Sequence, residues 1–381
     1  MTEGREAAQR ARRLAEAGRY DEAERMVRSG LAAAPGSGRL LALLAWVLRL
    51  RREYVAALAA ADAAVAAEPE LADAHAERAE NLMALVRSAD AVAAAEEAVR
   101  LDPLDPAGHL VLARALAAHR ELERARAAAA HGLSLAPGSV EGLLTVAEVE
   151  RDAGRRDEAT AAARAALAVD PANAYGRWLI AMLDAERLRV RRSMRGLRDV
   201  ARDNPARPDV LAMTWPIRGV LSGLRRGLTV GAVLICALLL AGHWWSPAGA
   251  FARVLSAVLA AVLTGFALRV LVPAGRLPWR CLRLVPRLTR RATVAGLITI
   301  AVAVALLVAH VLTAWWPPAA LALAAAPVLW VFGLLELLGA GLDDPGLRHA
   351  LRDLTGEFRD WWRTTKRELA DAWKNAPDAR P

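Results

Sequence analysis

Six prolines recur at a strict interval of 34 residues: Pro35, Pro69, Pro103, Pro137, Pro171 and Pro205. Twelve residues before the first five stand Ala23, Ala57, Ala91, Ala125 and Ala159, with Ser193 in the sixth period. A further twelve back come Ala11, Ala45, Ala79, Ala113, Ala147 and Ala181. Three registers held through six periods define a repeated unit, and a unit of this length cannot bury its own apolar face, so neighbours must stack into an array. Each period divides into two helix-length segments around a short polar turn, as in "AGRYDEAE" at 17–24 and "AGRRDEAT" at 153–160. One small side chain on each helix lets the two backbones approach. Proline then ends the second helix, because it lacks an N–H and drives the preceding residue out of the helical region.

These registers resemble the tetratricopeptide repeat family over residues 4–207. The match lies in small residues at the eighth and twentieth positions, an aliphatic residue at the eleventh (Leu14, Leu48, Leu82, Leu116) and proline at the thirty-second. Glu150 and Asp184 take the eleventh position in repeats five and six, which predicts loose packing or a capping role there. The resemblance implies an all-α solenoid of about six helical hairpins whose concave groove, lined by the first helices, receives a partner peptide or helix. Its groove positions fall on Arg12, Arg39, Trp46, Arg49, Glu80, Arg114, Glu148, Arg151, Tyr175 and Trp178. Five arginines among three aromatics suit an acidic or amphipathic peptide, since guanidinium pairs bidentately with carboxylate and stacks on rings. The duller alternative is a set of solvated helix faces. The Lys and Asn pattern with which some family members clamp acidic chaperone tails is absent, the fifth positions being Ala8, Ala42 and Ala76.

Charge separates the second half from the first. Residues 1–207 hold 31 basic and 31 acidic residues and 343–381 hold eight of each, so the whole excess of +9 lies in 208–342. A nucleic-acid binder would carry its surplus on a soluble domain; here eleven arginines flank apolar runs. Four such runs follow a linker at 208–226: Gly227–Trp245, Ala248–Val272, Ala292–Trp316 and Ala319–Leu342. Nineteen uncharged residues in the first make about 28 Å of helix, close to one hydrocarbon thickness. The expected domains are therefore a solenoid at 4–207, a four-span membrane domain at 227–342 and a C-terminal cytoplasmic helix at 343–381.

Orientation follows from the connections. Residues 273–291 hold six arginines and no acid, whereas the connections after the first and third spans are short and uncharged. The positive-inside rule then places the Arg-rich connection and both termini in the cytoplasm, and the anchor in the inner (plasma) membrane of a bacterium. The pairs Trp244–Trp245 and Trp315–Trp316 close two spans at the outer water–lipid boundary. A third pair, Trp361–Trp362, lies among Leu347, Leu351, Leu354 and Phe358 at helical spacing, which predicts an amphipathic helix on the membrane surface or docked on protein.

Catalytic chemistry has no visible foothold. No nucleophile stands beside a base, no Gly-rich phosphate loop occurs, and the two cysteines, Cys236 and Cys281, have no metal-ligand company. No enzyme activity, cofactor or metal is expected. His75 and His109 fill one repeat position and read as packing residues, while His243 and His310 read as interfacial polar groups near the outer ends of spans. Glu336 is ionisable within a span, hence a functional candidate by default; the expected partner is Arg269. The reading is a membrane-anchored protein-binding scaffold with a protein or peptide partner, a lipid bilayer and no nucleic acid, homo-oligomerisation being allowed. The alternative is a regulatory or pore subunit of a transporter or channel.

Overall fold

A computed structural model describes residues 2–203, 214–241, 248–313 and 315–341, all of whose regular elements are helices. The chain divides into two compact units, one running to Gly154 and the other beginning at Arg155.

The first unit contains α1 (Thr2–Glu16), α2 (Tyr20–Ala33), α3 (Gly38–Leu50), α4 (Tyr54–Ala67), α5 (Ala72–Ala84), α6 (Ser88–Leu101), α7 (Pro106–Ala118), α8 (Leu122–Leu135) and α9 (Val140–Asp152). Consecutive helices pack in antiparallel pairs, and each first helix also touches the first helix of the next pair. The alanine registers explain how. Ala11, Ala45, Ala79, Ala113 and Ala147 are fully buried, as are Ala23, Ala57, Ala91 and Ala125. With no exposed surface left at these crossings, a much larger side chain would have to displace its neighbours.

Helix ends obey the proline period. The residues before the prolines, Ala34, Glu68, Asp102 and Ala136, take φ between −139° and −135°, outside the helical region. His75 and His109 each donate Nε2–H to the carbonyl of the proline six residues earlier, at 2.8 and 2.9 Å, which is their packing role. Ser37, Asp105 and Ser139 cap the following first helices through their side-chain oxygens. The turn within each hairpin needs a residue at positive φ, and the positions Gly18, Arg52, Val86, Arg120 and Gly154 follow one another at 34 residues. Glycine takes that conformation without cost, while the Cβ of Val86 is strained by it.

The second unit contains α10 (Arg156–Val169), α11 (Ala174–Glu186), α12 (Val190–Asp203), α13 (Trp215–Ala241), α14 (Ala248–Ala274), α15 (Leu277–Cys281), α16 (Arg287–Thr313) and α17 (Trp316–Gly341). The last repeat does not pack loosely. Ala181, Val190, Met194 and Leu197 join one core with Ile217, Leu221, Leu224 and Leu263 from the long helices. Ser193, the one departure from alanine in its register, is fully buried and accepts a hydrogen bond from Trp215 Nε1 at 3.0 Å. Asp184 is buried and paired with Arg189 at 3.4 Å, and Glu150 in the first unit is paired with Arg126 at 2.9 Å. The acidic residues at the eleventh positions are thus ion-pair partners.

Helices α13, α14, α16 and α17 are long and apolar enough to cross a membrane, over Trp215–Leu238, Gly249–Ala274, Arg287–Thr313 and Trp316–Gly339. The first begins at Trp215, ahead of its uncharged run. No more than a third of each span is buried, so Val233, Phe251, Ile298, Leu312 and Leu334 present apolar surface outward, the reverse of a water-soluble bundle. Four hydroxyls are satisfied locally: Thr229, Ser256, Thr293 and Thr299 each donate to the carbonyl four residues back. The third and fourth spans are tied by His310, which is buried and donates Nδ1–H to the Trp315 carbonyl at 2.8 Å. The amphipathic segment at 343–381, the pair Trp244–Trp245 and His243 lie outside the described residues.

Candidate functional site

Successive first helices of the first unit enclose a groove of about 680 Å³. Of the ten sequence-predicted positions, Arg12, Arg39, Trp46, Arg49, Glu80 and Arg114 line it. Glu148 and Arg151 lie on α9, outside this lining, each engaged in polar interactions. Tyr175 and Trp178 belong to the second unit, where their rings stack at 5.4 Å and Trp178 packs against the core it shares with the long helices.

The floor is a chain of ion pairs. Arg49 lies 3.4 Å from Glu77 and 3.6 Å from Glu80; Arg114 lies 2.5 Å from Glu80 and 3.3 Å from Glu141, and donates to Thr145 Oγ1 at 3.1 Å. Burial alone would lower the affinity of both guanidiniums for their protons, but Glu77 and Glu80 around Arg49, and Glu80 around Arg114, raise it instead. Glu77 is also raised, but by the opposite cause: burial pushes its carboxyl above the ordinary carboxylate value, with Arg49 opposing.

The sequence reading set five arginines and three aromatics against an acidic or amphipathic peptide; the structure places carboxylates beside two of those arginines. Arg49 and Arg114 are already neutralised by carboxylates of the protein. Arg12 and Arg39 are exposed and form no ion pair among the described residues, and they flank the half-buried Trp46. Toward the other end stand Asp73, Asp105 and Glu141. The groove is therefore polarised: Arg12, Arg39 and Trp46, with the carboxylate Glu16, line the α1–α3 end, and Asp73, Asp105 and Glu141 line it toward α5, α7 and α9. Sequence reasoning took Arg39 from the second position of the first helices but overlooked Asp73 and Glu141, which stand 34 and 102 residues further on in the same register. Following that register through every repeat would have found them. Glu77, one turn before Glu80, had no such signal.

In the second unit the structure corrects one pairing. Glu336 is buried and forms its ion pair with Arg218 of α13, not with Arg269. Helix α13 brings Arg218 opposite the C-terminal half of α17, while Arg269 sits exposed on α14. Two turns beyond Arg218 along α13, Arg225 lies over the Trp330 ring, 4.6 Å from its centroid, with its guanidinium against the bare backbone of Gly333. Trp330 Nε1 donates to Thr229 Oγ1 at 3.0 Å. Trp315 and Trp316 are exposed where α17 begins. Among the described residues no group of three or more His, Cys, Asp and Glu is placed to hold a metal ion.

Comparison with known proteins bears on the first unit. The tetratricopeptide repeat family model matches residues 9–72 and 77–140. No curated protein matches the sequence. Among solved structures, a thermophilic TPR protein of Thermus thermophilus is 24% identical at TM-score 0.45, over 47% of this chain and 98% of that one. PilW, described as a type IV pilus biogenesis factor, is 15% identical at TM-score 0.44, over 54% and 94%. YrrB, described as a TPR protein with an unusual peptide-binding site, is 17% identical at TM-score 0.33, over 45% and 88%.

Proposed function

Because the N-terminal half of this chain is an array of tetratricopeptide repeats, we propose that the protein is a membrane-anchored scaffold whose groove binds a segment of another protein. The polarity of the groove carries the reading. Unpaired Arg12 and Arg39 beside Trp46 suit a partner segment with a carboxylate next to an aromatic or aliphatic side chain. Asp73 and Asp105 suit a basic residue further along it. The paired Arg49 and Arg114 hold the floor rigid, so that little side-chain freedom is lost on binding.

Four apolar helices support the anchor, and the six arginines between the second and third support a cytoplasmic position for that connection and both termini. Confining the groove to a membrane surface raises the effective concentration of a partner held there. The pore-subunit alternative draws less support, since Glu336 is closed by Arg218 rather than open to a solute.

The test is site-specific photocrosslinking in cells from position 46, with and without Arg12→Glu and Arg39→Glu. A discrete protein adduct lost on charge reversal is the expected result. Adducts that survive the reversal, or that form equally from an outward position such as Val55, overturn the groove reading.

A further inference from the structure

The long helices carry a second concavity, distinct from the partner groove. Helices α13 and α14 approach where Gly227 meets Leu263 and Gly231 meets Leu259; a Cβ on Gly227 would stand 3.1 Å from Leu263, and one on Gly231 would collide with Leu259. Leucine fills the space those side chains would take, and beside this contact runs a groove of about 410 Å³ whose walls are Val230, Leu234, Leu255, Val258 and Val262, with Arg226 among them. Among the described residues Arg226 is its one polar lining residue. The volume lies within the roughly 300–1,000 Å³ of small-ligand sites.

The two glycine contacts fix an antiparallel register, so the Arg226 end of α13 faces the part of α14 beyond Val262. Arg269 follows Val262 by seven residues, two helical turns, and so lies on the same face of α14. Both Arg226 and Arg269 are exposed, and neither forms an ion pair among the described residues. Their neighbours are otherwise engaged, Arg218 with Glu336 and Arg225 with Trp330. One end of a hydrocarbon-lined groove is thus marked by two unneutralised guanidiniums.

We propose that this groove binds an anionic glycerophospholipid, with one acyl chain lying over Gly227 and Gly231 and the phosphate held by Arg226 and Arg269. Apart from Arg226 at one end, the described walls are aliphatic or glycine and offer no side-chain hydrogen-bond partner, which favours hydrocarbon along the rest of the groove. Guanidinium matches phosphate oxygens in pairs, and basic sites between spans attract anionic headgroups. The proposal rests on reading the four helices as spans.

The test uses the full chain in detergent, titrated with phosphatidylglycerol and with phosphatidylcholine of the same acyl chains and read by native mass spectrometry. Two arginines at about fivefold each predict a preference of about 25-fold for the anionic lipid. Arg226→Gln with Arg269→Gln should erase that preference, and Val258→Trp should weaken both lipids by filling the groove. Equal binding of the two lipids, a preference retained in the double variant, or displacement by inorganic phosphate overturns it. So does a dimer that Val258→Trp disrupts without bound lipid, which makes the groove an interface between copies. Alkaline extraction of cell membranes separates the premises: a released chain defeats the span reading itself, whereas a retained chain without lipid preference defeats only the lipid site.

Discussion

Arginine is stabilised by different means in the two compact units. In the repeat array, Arg49 and Arg114 share Glu77, Glu80 and Glu141, all partly hydrated, so each cation has more than one carboxylate and each carboxylate still meets water. In the long helices Arg218 has the single carboxylate Glu336, and Arg225 has a tryptophan face in place of an anion. The difference teaches what redundancy does. Arg218 is no less exposed than Arg49 and Arg114, so the number of partners decides: a cation with two carboxylates keeps one when the other is removed, whereas a cation with one keeps none.

Removing that one partner should have the largest effect. Glu336→Ala leaves Arg218 uncompensated and should lower stability by about 3–5 kcal/mol, measured as the thermal midpoint of the purified chain in detergent. Trp330→Leu removes the ring beneath Arg225 and should cost about 2 kcal/mol in the same assay. Glu80→Ala, which takes a shared carboxylate from both Arg49 and Arg114, should cost only about 1 kcal/mol. Equal losses for Glu80→Ala and Glu336→Ala would break the comparison.

Two smaller effects sharpen it from the side of the repeat array. Val86→Gly relieves a β-branched residue at φ 63° and should stabilise by about 1 kcal/mol, while Gly154→Ala, at φ 78° in the same register, should move the midpoint the opposite way. The smallest concerns pH. Burial holds the Glu77 carboxyl above its ordinary value, so the folded chain takes up this proton more readily than the unfolded one. Stability from this group is full below the ordinary value and is lost as pH rises through the raised one. The thermal midpoint of the wild type should therefore fall across that window more than that of Glu77→Gln; identical slopes would remove Glu77 from the account.

Much of the fold was legible because periodic burial leaves a periodic trace. The alanines at 11, 45, 79, 113 and 147 are small for the reason the structure shows, a fully buried helix crossing at which a much larger side chain would have to displace its neighbours. Proline fixed the helix ends through its own covalent geometry. The groove positions followed from the same period as far as Arg114, since one face of each first helix recurs every 34 residues. Tyr175 and Trp178 keep the same register and lie in the second unit.

The sequence by itself determined the repeat, the helix boundaries within it and four helices long and apolar enough to span a membrane, because each rests on local geometry or on the length of an apolar run. Only the tertiary structure decided which charges meet. That Arg49 and Arg114 are spent on carboxylates while Arg12 and Arg39 form no ion pair among the described residues, that Glu336 belongs to Arg218, and that Ser193 stands in an alanine register to receive Trp215 all depend on side chains far apart in the chain. Pairing energies act over a few ångströms of space, and no spacing along the sequence encodes them.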